Sequence, residues 1–327
     1  MQGSVTMTKW LQKKAVFVCT VCILCALLSG YAAVDRDTMS NDGAAYEKLS
    51  VYVDGTLEYT GYMVNGVAYV PLRSFCSALD MGAVVTWNAA SGVISATVQE
   101  AVITETIVES KAIDSDDPEA EPVMTQHVVV STSYRSHTLS AKVGEFYLTV
   151  NDRVLYLGGD VLNYRGNVLV PLNGLCRAFN ITAVSGETES GLNLHTEDLQ
   201  VVRRGSEVYN ATDLKWLSHI INAEAGNQSL EGQICVGNVV LNRVRDARFP
   251  DTVQEVIFSP NQFCPVTSGS IYCTPDEDAV IAAKLCLEGV NLAGECTYFV
   301  NPTTGVTAWF RNNLTYAMSV GDHDFYY

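Results

Sequence analysis

One glutamate in the last third of the chain, Glu224, occupies a position where its carboxyl group is expected to stay protonated. Leu217, Ile220 and Ile221 precede it at spacings that place all four side chains on one face of a helix. A Gly-Asn pair follows and predicts the end of that helix. Apolar neighbours and the negative end of a helix both raise the pKa of a carboxyl group, which can then donate a proton to a leaving group. The structural alternative, a solvent-exposed glutamate at a frayed helix end, fits the pattern equally well.

Two predicted helices carry the residues around this glutamate. Thr212 is expected to be the N-cap of a helix over residues 213–225, which has Glu224 in its last turn. A second helix is predicted from Ser229 to Arg245, and its two glycines would permit close packing against a neighbour.

Ordered segments across the last third of the chain resemble one known family. They are Ile220–Ala225, Leu230–Gln233, Val239–Val244, Phe249–Pro250, Val256–Phe258, Asn261–Phe263, Tyr298–Pro302 and Gly321–Tyr326. Together they resemble the spore-cortex-lytic cell wall hydrolase family, the SleB type, from about Asp213 to Tyr327. That family usually reads Glu-Ala-Arg-Gly-Glu where this chain has Glu-Ala-Gly-Asn-Gln from Glu224 to Gln228. The roles of that arginine and second glutamate therefore cannot be carried over.

The resemblance implies a mainly helical, lysozyme-like fold and cleavage between N-acetylmuramic acid and N-acetylglucosamine, with Glu224 as the catalytic acid. Hydrolysis usually needs two carboxylates, and no second acid stands out near Glu224. A lytic transglycosylase needs one acid, because the C6 hydroxyl of the muramic acid acts as nucleophile. The candidate substrate-binding residues are Gln262, Phe263, Tyr298, Asn301 and His323. Core packing is the alternative role of the two aromatic residues, and loop or backbone contacts are the alternative for Asn301 and His323.

Three competing functions fit parts of the sequence. A Cys/His peptidase would use Cys264 with His323, but Cys264 precedes a proline in an expected loop, whereas such nucleophiles typically begin a helix. A zinc amidase needs clustered ligands, and the domain has only His219 and His323 without an HExxH motif. No metal or cofactor is therefore predicted. A non-catalytic peptidoglycan-binding protein with a degenerate hydrolase domain is the third alternative, favoured by the altered residues after Glu224.

Two upstream stretches resemble each other at an offset of 100 residues, Val70–Leu79 and Val170–Phe179. Each has a Val-Pro-Leu motif, a short helical pattern and flanking strands, and Asn65-Gly66 predicts a hairpin turn in the first copy. They resemble copper amine oxidase N-terminal-like repeats, a name that implies no copper here. Binding to the cell wall and a purely structural spacer are the two open roles.

The predicted fold class is α+β, with two small stalk-like α+β repeats followed by a mainly helical, lysozyme-like catalytic domain. The first repeat covers residues 48–98 and the second residues 144–200. Residues 99–143 are predicted to be an acidic linker or insertion, because Glu100 to Glu121 carry eight acids against one lysine. A short linker, residues 201–211, leads into the catalytic domain, residues 212–327.

The N-terminus predicts export from the cytoplasm. Three lysines precede an apolar run from Ala15 to Leu28, which is shorter than the roughly 20 residues of a membrane-spanning helix. Residues 1–33 are therefore predicted to be a signal peptide of a secreted protein that acts in the cell wall or spore envelope. An uncleaved signal serving as membrane anchor is the alternative.

Charge and cysteine content limit the partners. The formal net charge of −16 argues against nucleic acid, so the expected partner, the peptidoglycan glycan strand, would be recognised locally through a cleft. Seven cysteines follow the signal, namely Cys76, Cys176, Cys235, Cys264, Cys273, Cys286 and Cys296. A disulfide between Cys264 and Cys273 and buried free thiols remain alternatives at this stage.

Overall fold

The protein is described by a computed structural model for residues 45–112, 123–185, 191–303 and 307–327. The predicted signal peptide lies outside these residues. The chain divides into two units. The N-terminal unit comprises the described residues up to Phe146 together with Leu157–Val202, and the C-terminal unit comprises Tyr147–Tyr156 and Arg203–Tyr327. No helix in the described ranges has both the length and the apolar character to cross a membrane.

The described elements up to His195 are mostly strands, and those after it are mostly helices. The strands are β1 (Glu47–Val53), β2 (Thr56–Val64), β3 (Val67–Pro71), β4 (Val84–Asn88), β5 (Val93–Ala112), β6 (Val123–Lys142), β7 (Tyr147–Val150), β8 (Arg153–Tyr156), β9 (Leu162–Tyr164), β10 (Asn167–Pro171), β11 (Thr182–Ser185), β12 (Gly191–His195), β13 (Tyr298–Val300), β14 (Tyr316–Val320) and β15 (His323–Tyr326). The helices are α1 (Leu72–Ala78), α2 (Leu172–Phe179), α3 (Gly205–Val208), α4 (Ala211–Ala225), α5 (Leu230–Arg245), α6 (Val253–Phe258), α7 (Cys264–Ser268), α8 (Glu277–Leu287) and α9 (Thr307–Asn313).

The two sequence repeats build one sheet in the N-terminal unit, with strand order β11-β12-β1-β2-β3-β10-β9. β3 of the first repeat pairs antiparallel with β10 of the second, and Val70 lies opposite Val170. Phe75 and Phe179 of the two short helices meet edge to face, with ring centroids 5.4 Å apart. The repeats therefore form one structural unit, because a strand edge of one copy pairs with a strand of the other.

The predicted acidic linker is largely regular β structure where the structure describes it. β5 and β6 pair antiparallel along their whole length, from Val93 opposite Lys142 to Ala112 opposite Val123. Acidic residues led to the linker prediction, but Val, Ile and Thr alternate with them and favour extended pairing. Several of these β-branched side chains are exposed on the ribbon.

Three helices, α4, α5 and α8, pack around the core of the C-terminal unit. Leu217, Ile220 and Ile221 of α4 are completely buried, as the helical spacing predicted. The N-cap is not Thr212, however. Asn210 caps α4, because its Oδ1 accepts hydrogen bonds from the backbone N–H groups of Thr212 and Asp213 at 2.9 and 3.2 Å.

A three-stranded antiparallel sheet, with order β13-β15-β14, covers one side of these helices. Phe325 of β15 belongs to the same buried cluster as Ala225 of α4 and Val236 and Val239 of α5. The unit is therefore a mixture of helices and strands, and its mainly helical, lysozyme-like description stays a prediction.

The C-terminal unit also extends beyond the predicted boundary at residue 212. The β7–β8 hairpin belongs to it, and Arg153 donates two hydrogen bonds to the carboxylate of Glu288, each at 2.7 Å. Tyr209 donates a third hydrogen bond to Glu288 at 2.7 Å and accepts one from the backbone N–H of Val154. This largely buried ion pair holds residues 147–156 against the helices.

Candidate active site

The candidate acid lies in the last turn of α4. Glu224 is half-buried, and burial raises the pKa of its carboxyl group from 4.5 to about 7, while the nearby positive charge of Arg243 opposes that increase. The raised pKa that the helical pattern predicted is thus present. At neutral pH this carboxyl group is present in both protonation states, which is suitable for a group that must donate and then accept a proton.

Arg243 is the charged partner of this carboxyl group. It projects from α5 and is only 5% exposed. Its Nε donates a hydrogen bond to the backbone carbonyl of Thr297 at 2.7 Å, and its Nη1 donates one to Oε1 of Gln262 at 3.2 Å. Burial lowers the pKa of Arg243 to about 10, so the guanidinium still carries its charge near neutral pH.

Three aromatic rings surround the guanidinium of Arg243. Its central carbon lies 5.1 Å from the ring centroids of both Phe249 and Phe263 and 5.4 Å from that of Tyr298. Ring faces attract a cation at such distances, and the attraction is stronger where water is excluded. The rings therefore hold the cation in place beside the candidate acid.

Sequence reasoning did not assign a role to Arg243. A signal was available: Arg243 follows Val236, Val239 and Val240 at i+7, i+4 and i+3, which puts it on the apolar face of α5. A charged residue on a buried helical face needs a partner, so this position deserved a functional hypothesis.

Three of the predicted substrate-binding residues gather around Arg243. Gln262 is exposed and accepts its hydrogen bond, and Tyr298 is half-buried beside it. Phe263 is only 5% exposed and packs between Arg243 and Phe299. The core-packing alternative therefore describes Phe263, whereas Gln262 and Tyr298 keep surface from which a ligand can be contacted.

The other two predicted binding residues are placed differently. Oδ1 of Asn301 accepts hydrogen bonds from the backbone N–H and the hydroxyl of Thr303, at 3.0 and 2.7 Å, so Asn301 has the loop role named as its alternative. His323 is 7% exposed and packs edge to face on Phe299 at 5.3 Å, and burial lowers its pKa. A direct glycan contact by His323 is not supported by this burial.

The exposed cysteines differ from both sequence-based alternatives. Cys264 and Cys273 are free and exposed, so neither a disulfide nor burial describes them. Cys264 is the first residue of α7 and does not lie in a loop as expected. Among the described residues no hydrogen bond connects it to His323, which is buried elsewhere in the unit. Four of the other cysteines are buried thiols, and Cys176 is half-buried.

A surface cavity of about 410 Å³ lies beside β14 and β15. Its lining residues are Arg311, Leu314, Tyr316, Ser319, Asp324 and Tyr326. Neither Glu224 nor Arg243 is among them. We base the candidate site on the half-buried carboxyl group and its cationic neighbour, because proton transfer requires a group with a suitable pKa and this cavity does not contain that group.

Comparison with known proteins identifies the C-terminal unit. The Cell Wall Hydrolase family matches residues 227–326. The C-terminal unit contains a cell wall hydrolase domain. Arg243, Gln262, Tyr298 and the other candidate site residues after α4 lie inside the matched range, and Glu224 lies three residues before it. The match does not include the upstream repeats, whose resemblance to copper amine oxidase N-terminal-like repeats stays a prediction.

Relatives of the hydrolase domain carry related names. The spore cortex-lytic enzyme of Halalkalibacterium halodurans is 39% identical over 101 residues, which are 31% of this chain and 31% of that protein. The spore cortex-lytic enzyme of Bacillus subtilis is 34% identical over 101 residues, 33% of its length. This chain thus spans about a third of the length of these relatives. The catalytic domain of the germination-specific lytic transglycosylase SleB from Bacillus anthracis is 33% identical, with all of that chain and 38% of this one covered and a TM-score of 0.35.

Proposed function

We propose that this protein is an enzyme that cleaves the glycan strands of peptidoglycan, with Glu224 as its general acid and base. The supporting observation is the half-buried carboxyl group of Glu224, whose pKa is raised to about 7. It lies at the end of the helix that leads into the cell wall hydrolase domain. The bond cleaved is that between N-acetylmuramic acid and N-acetylglucosamine.

In the first step the protonated carboxyl group of Glu224 donates its proton to the glycosidic oxygen. The bond from that oxygen to C1 of the muramic acid then breaks, N-acetylglucosamine leaves with a free hydroxyl, and positive charge develops at C1. The carboxylate that remains is stabilised by the guanidinium of Arg243, the same positive charge that opposes the rise in the pKa of Glu224. Burial thus keeps the proton available before the step, and Arg243 stabilises the carboxylate after it.

In the second step a nucleophile attacks C1 and Glu224 takes back a proton. We favour the C6 hydroxyl of the same muramic acid, which closes a 1,6-anhydro ring and makes the reaction a lytic transglycosylation. The pKa of Glu224 is affected by its burial and by the charge of Arg243. A mechanism with one carboxyl group is consistent with this environment, whereas hydrolysis usually uses two.

The same proposal includes a location and a role for the N-terminal unit. The protein would be secreted and act on cell wall or spore cortex outside the cytoplasmic membrane, since its named relatives are spore cortex-lytic enzymes. The sheet built from the two repeats would hold the hydrolase domain at the wall. Binding of the full chain to purified peptidoglycan should weaken when the exposed face of that sheet is mutated, while the catalytic variants below should still bind.

The decisive experiment compares the parent with Glu224→Gln on purified peptidoglycan. We expect the parent to release soluble fragments with anhydro-muramic ends in mass spectrometry, and the variant to release about a thousandfold less. Glu231→Gln is the matched control, because Glu231 is an exposed glutamate in the first turn of α5. Release by Glu224→Gln at the parental rate would refute the assignment. Binding without release by the parent would instead favour the non-catalytic peptidoglycan-binding protein.

A further inference from the structure

We infer that Gln228 is a positioning residue that fastens the turn between β14 and β15 to the end of α4, and that its uncharged amide avoids the repulsion from the Asp322 carboxylate that a glutamate would meet at neutral pH. The activity part of the inference rests on the proposed function, because the fastened helix end carries Glu224. Gln228 itself is placed outside the catalytic chemistry.

The nitrogen and the oxygen of the Gln228 side-chain amide both form hydrogen bonds with Asp322 in the β14–β15 turn. Its Nε2 donates a hydrogen bond to Oδ2 of Asp322 at 3.0 Å, and its Oε1 accepts one from the backbone N–H of Asp322 at 2.9 Å. The preceding residue, Gly321, has a φ of +55°, and a Cβ there would overlap Oε1 of Gln228. The turn is therefore shaped closely around this amide, and a side chain at position 321 would push it away.

The backbone of Gln228 is bound to both helices. Its N–H donates to the carbonyl of Ala225, the last residue of α4, at 2.9 Å. Its carbonyl accepts a hydrogen bond from Nε2 of Gln233, a buried residue of α5, at 3.2 Å. Ala225 in turn shares a buried cluster with Phe325 of β15. Gln228 thus connects α4, α5 and the β14–β15 turn directly behind Glu224.

A glutamate at position 228 would have nearly the same shape as Gln228, but its ionised side chain would carry a negative charge and could not donate a hydrogen bond. An ionised carboxylate only accepts hydrogen bonds, so it could still bind the backbone N–H of Asp322 but would face the Asp322 carboxylate. Two carboxyl groups at that separation hold one proton between them in acid and repel each other once both are ionised. The other carboxyl and imidazole groups within four residues of Gln228 or Asp322 in the sequence are Glu224 on α4, Glu231 on α5, and His323 and Asp324 on β15.

The test is a set of three variants compared with the parent at pH 5 and pH 7. Gln228→Glu should release peptidoglycan fragments about tenfold more slowly than the parent at pH 7 and within about twofold of it at pH 5. Asp322→Asn should stay close to the parent at both values, because the asparagine carbonyl can accept the Gln228 hydrogen bond. The double variant Gln228→Glu, Asp322→Asn should recover at pH 7, since the asparagine amide can donate to the new carboxylate.

Gln254→Glu is the matched control, because Gln254 is exposed on α6 and the charge change is the same. Equal behaviour of Gln228→Glu and Gln254→Glu at pH 7, or no recovery in the double variant, would overturn the inference. Thermal unfolding of the same set at both pH values gives a readout without catalysis. One outcome is that the melting temperature falls in Gln228→Glu at pH 7 and recovers in the double variant while no protein, including the parent, releases fragments. That result would support the fastening and reject the proposed function, so the two failures are distinguishable.

Discussion

The raised pKa of Glu224 predicts that this residue destabilises the folded protein at neutral and alkaline pH. The carboxyl group holds its proton up to about pH 7 in the folded state and up to about its ordinary pKa of 4.5 in the unfolded state. Between these values the folded state binds more protons than the unfolded state, so the free energy of unfolding falls as pH rises. The penalty is absent below about pH 4.5 and complete above about pH 7.

The size of this penalty follows from the shift of the pKa. Each unit corresponds to about 1.4 kcal/mol, so a shift from 4.5 to about 7 gives at most about 3.5 kcal/mol. The carboxyl group is half-buried and keeps some contact with water, which reduces our expectation to about 2 kcal/mol. Glu224→Gln should therefore stabilise the protein by about 2 kcal/mol more at pH 8 than at pH 4.

Denaturant unfolding of the parent and Glu224→Gln at pH 4 and pH 8 measures this difference. Glu231→Gln, an exposed glutamate in the first turn of α5, should change the free energy of unfolding by less than about 1 kcal/mol at either pH. A Glu224→Gln effect that is the same at pH 4 and pH 8 would refute the reasoning, because it would mean that Glu224 ionises as easily in the folded state as in the unfolded state. The experiment requires no substrate and tests the environment of the acid independently of its proposed use.

Three other predictions follow from the described contacts. Arg243→Met should move the alkaline limb of the pH–rate profile up by about one pH unit, because the charge that lowers the pKa of Glu224 is lost, whereas Arg243→Lys should leave that limb in place. Glu288→Gln should lower the free energy of unfolding measured with denaturant by about 3 kcal/mol, because it leaves Arg153 without its counter-charge; an unchanged value would refute a stabilising role for the hairpin contact. Gly321→Ala should lower the melting temperature through about 1–3 kcal/mol of strain at a positive φ, and an unaltered melting temperature would contradict that strain.

Periodicity in the sequence was sufficient to predict the helix that carries Glu224. Leu217, Ile220 and Ile221 repeat at helical spacing, and the structure buries all three. The helix start was predicted less well, because Asn210 and Thr212 are both good cap formers. Local sequence does not decide between two such residues two positions apart, and the structure starts the helix at Ala211.

The pairing of strands that are far apart in the sequence could not be predicted from local periodicity. The repeat itself was visible, but the pairing of Val70 with Val170 joins strands that are 100 residues apart. Strand register and partner choice depend on which edges meet in space, and a local pattern of apolar residues does not encode that. The same holds for the β7–β8 hairpin, whose contact with Glu288 places it in the C-terminal unit although the sequence repeat places it upstream.

Arg243 contributes to both the electrostatics and the packing of the candidate site. An arginine stays charged even when burial lowers its pKa to about 10, so it supplies a fixed positive charge at neutral pH. The rings of Phe249, Phe263 and Tyr298 keep that charge at one place, and the hydrogen bond to Thr297 sets its orientation. The pKa of Glu224 near 7 is then the balance of two fixed opposing effects, burial and this cation. Phe263 and Tyr298 were predicted to contact the glycan. Their rings also influence the proposed chemistry, because they hold the cation that stabilises the ionised carboxylate of Glu224.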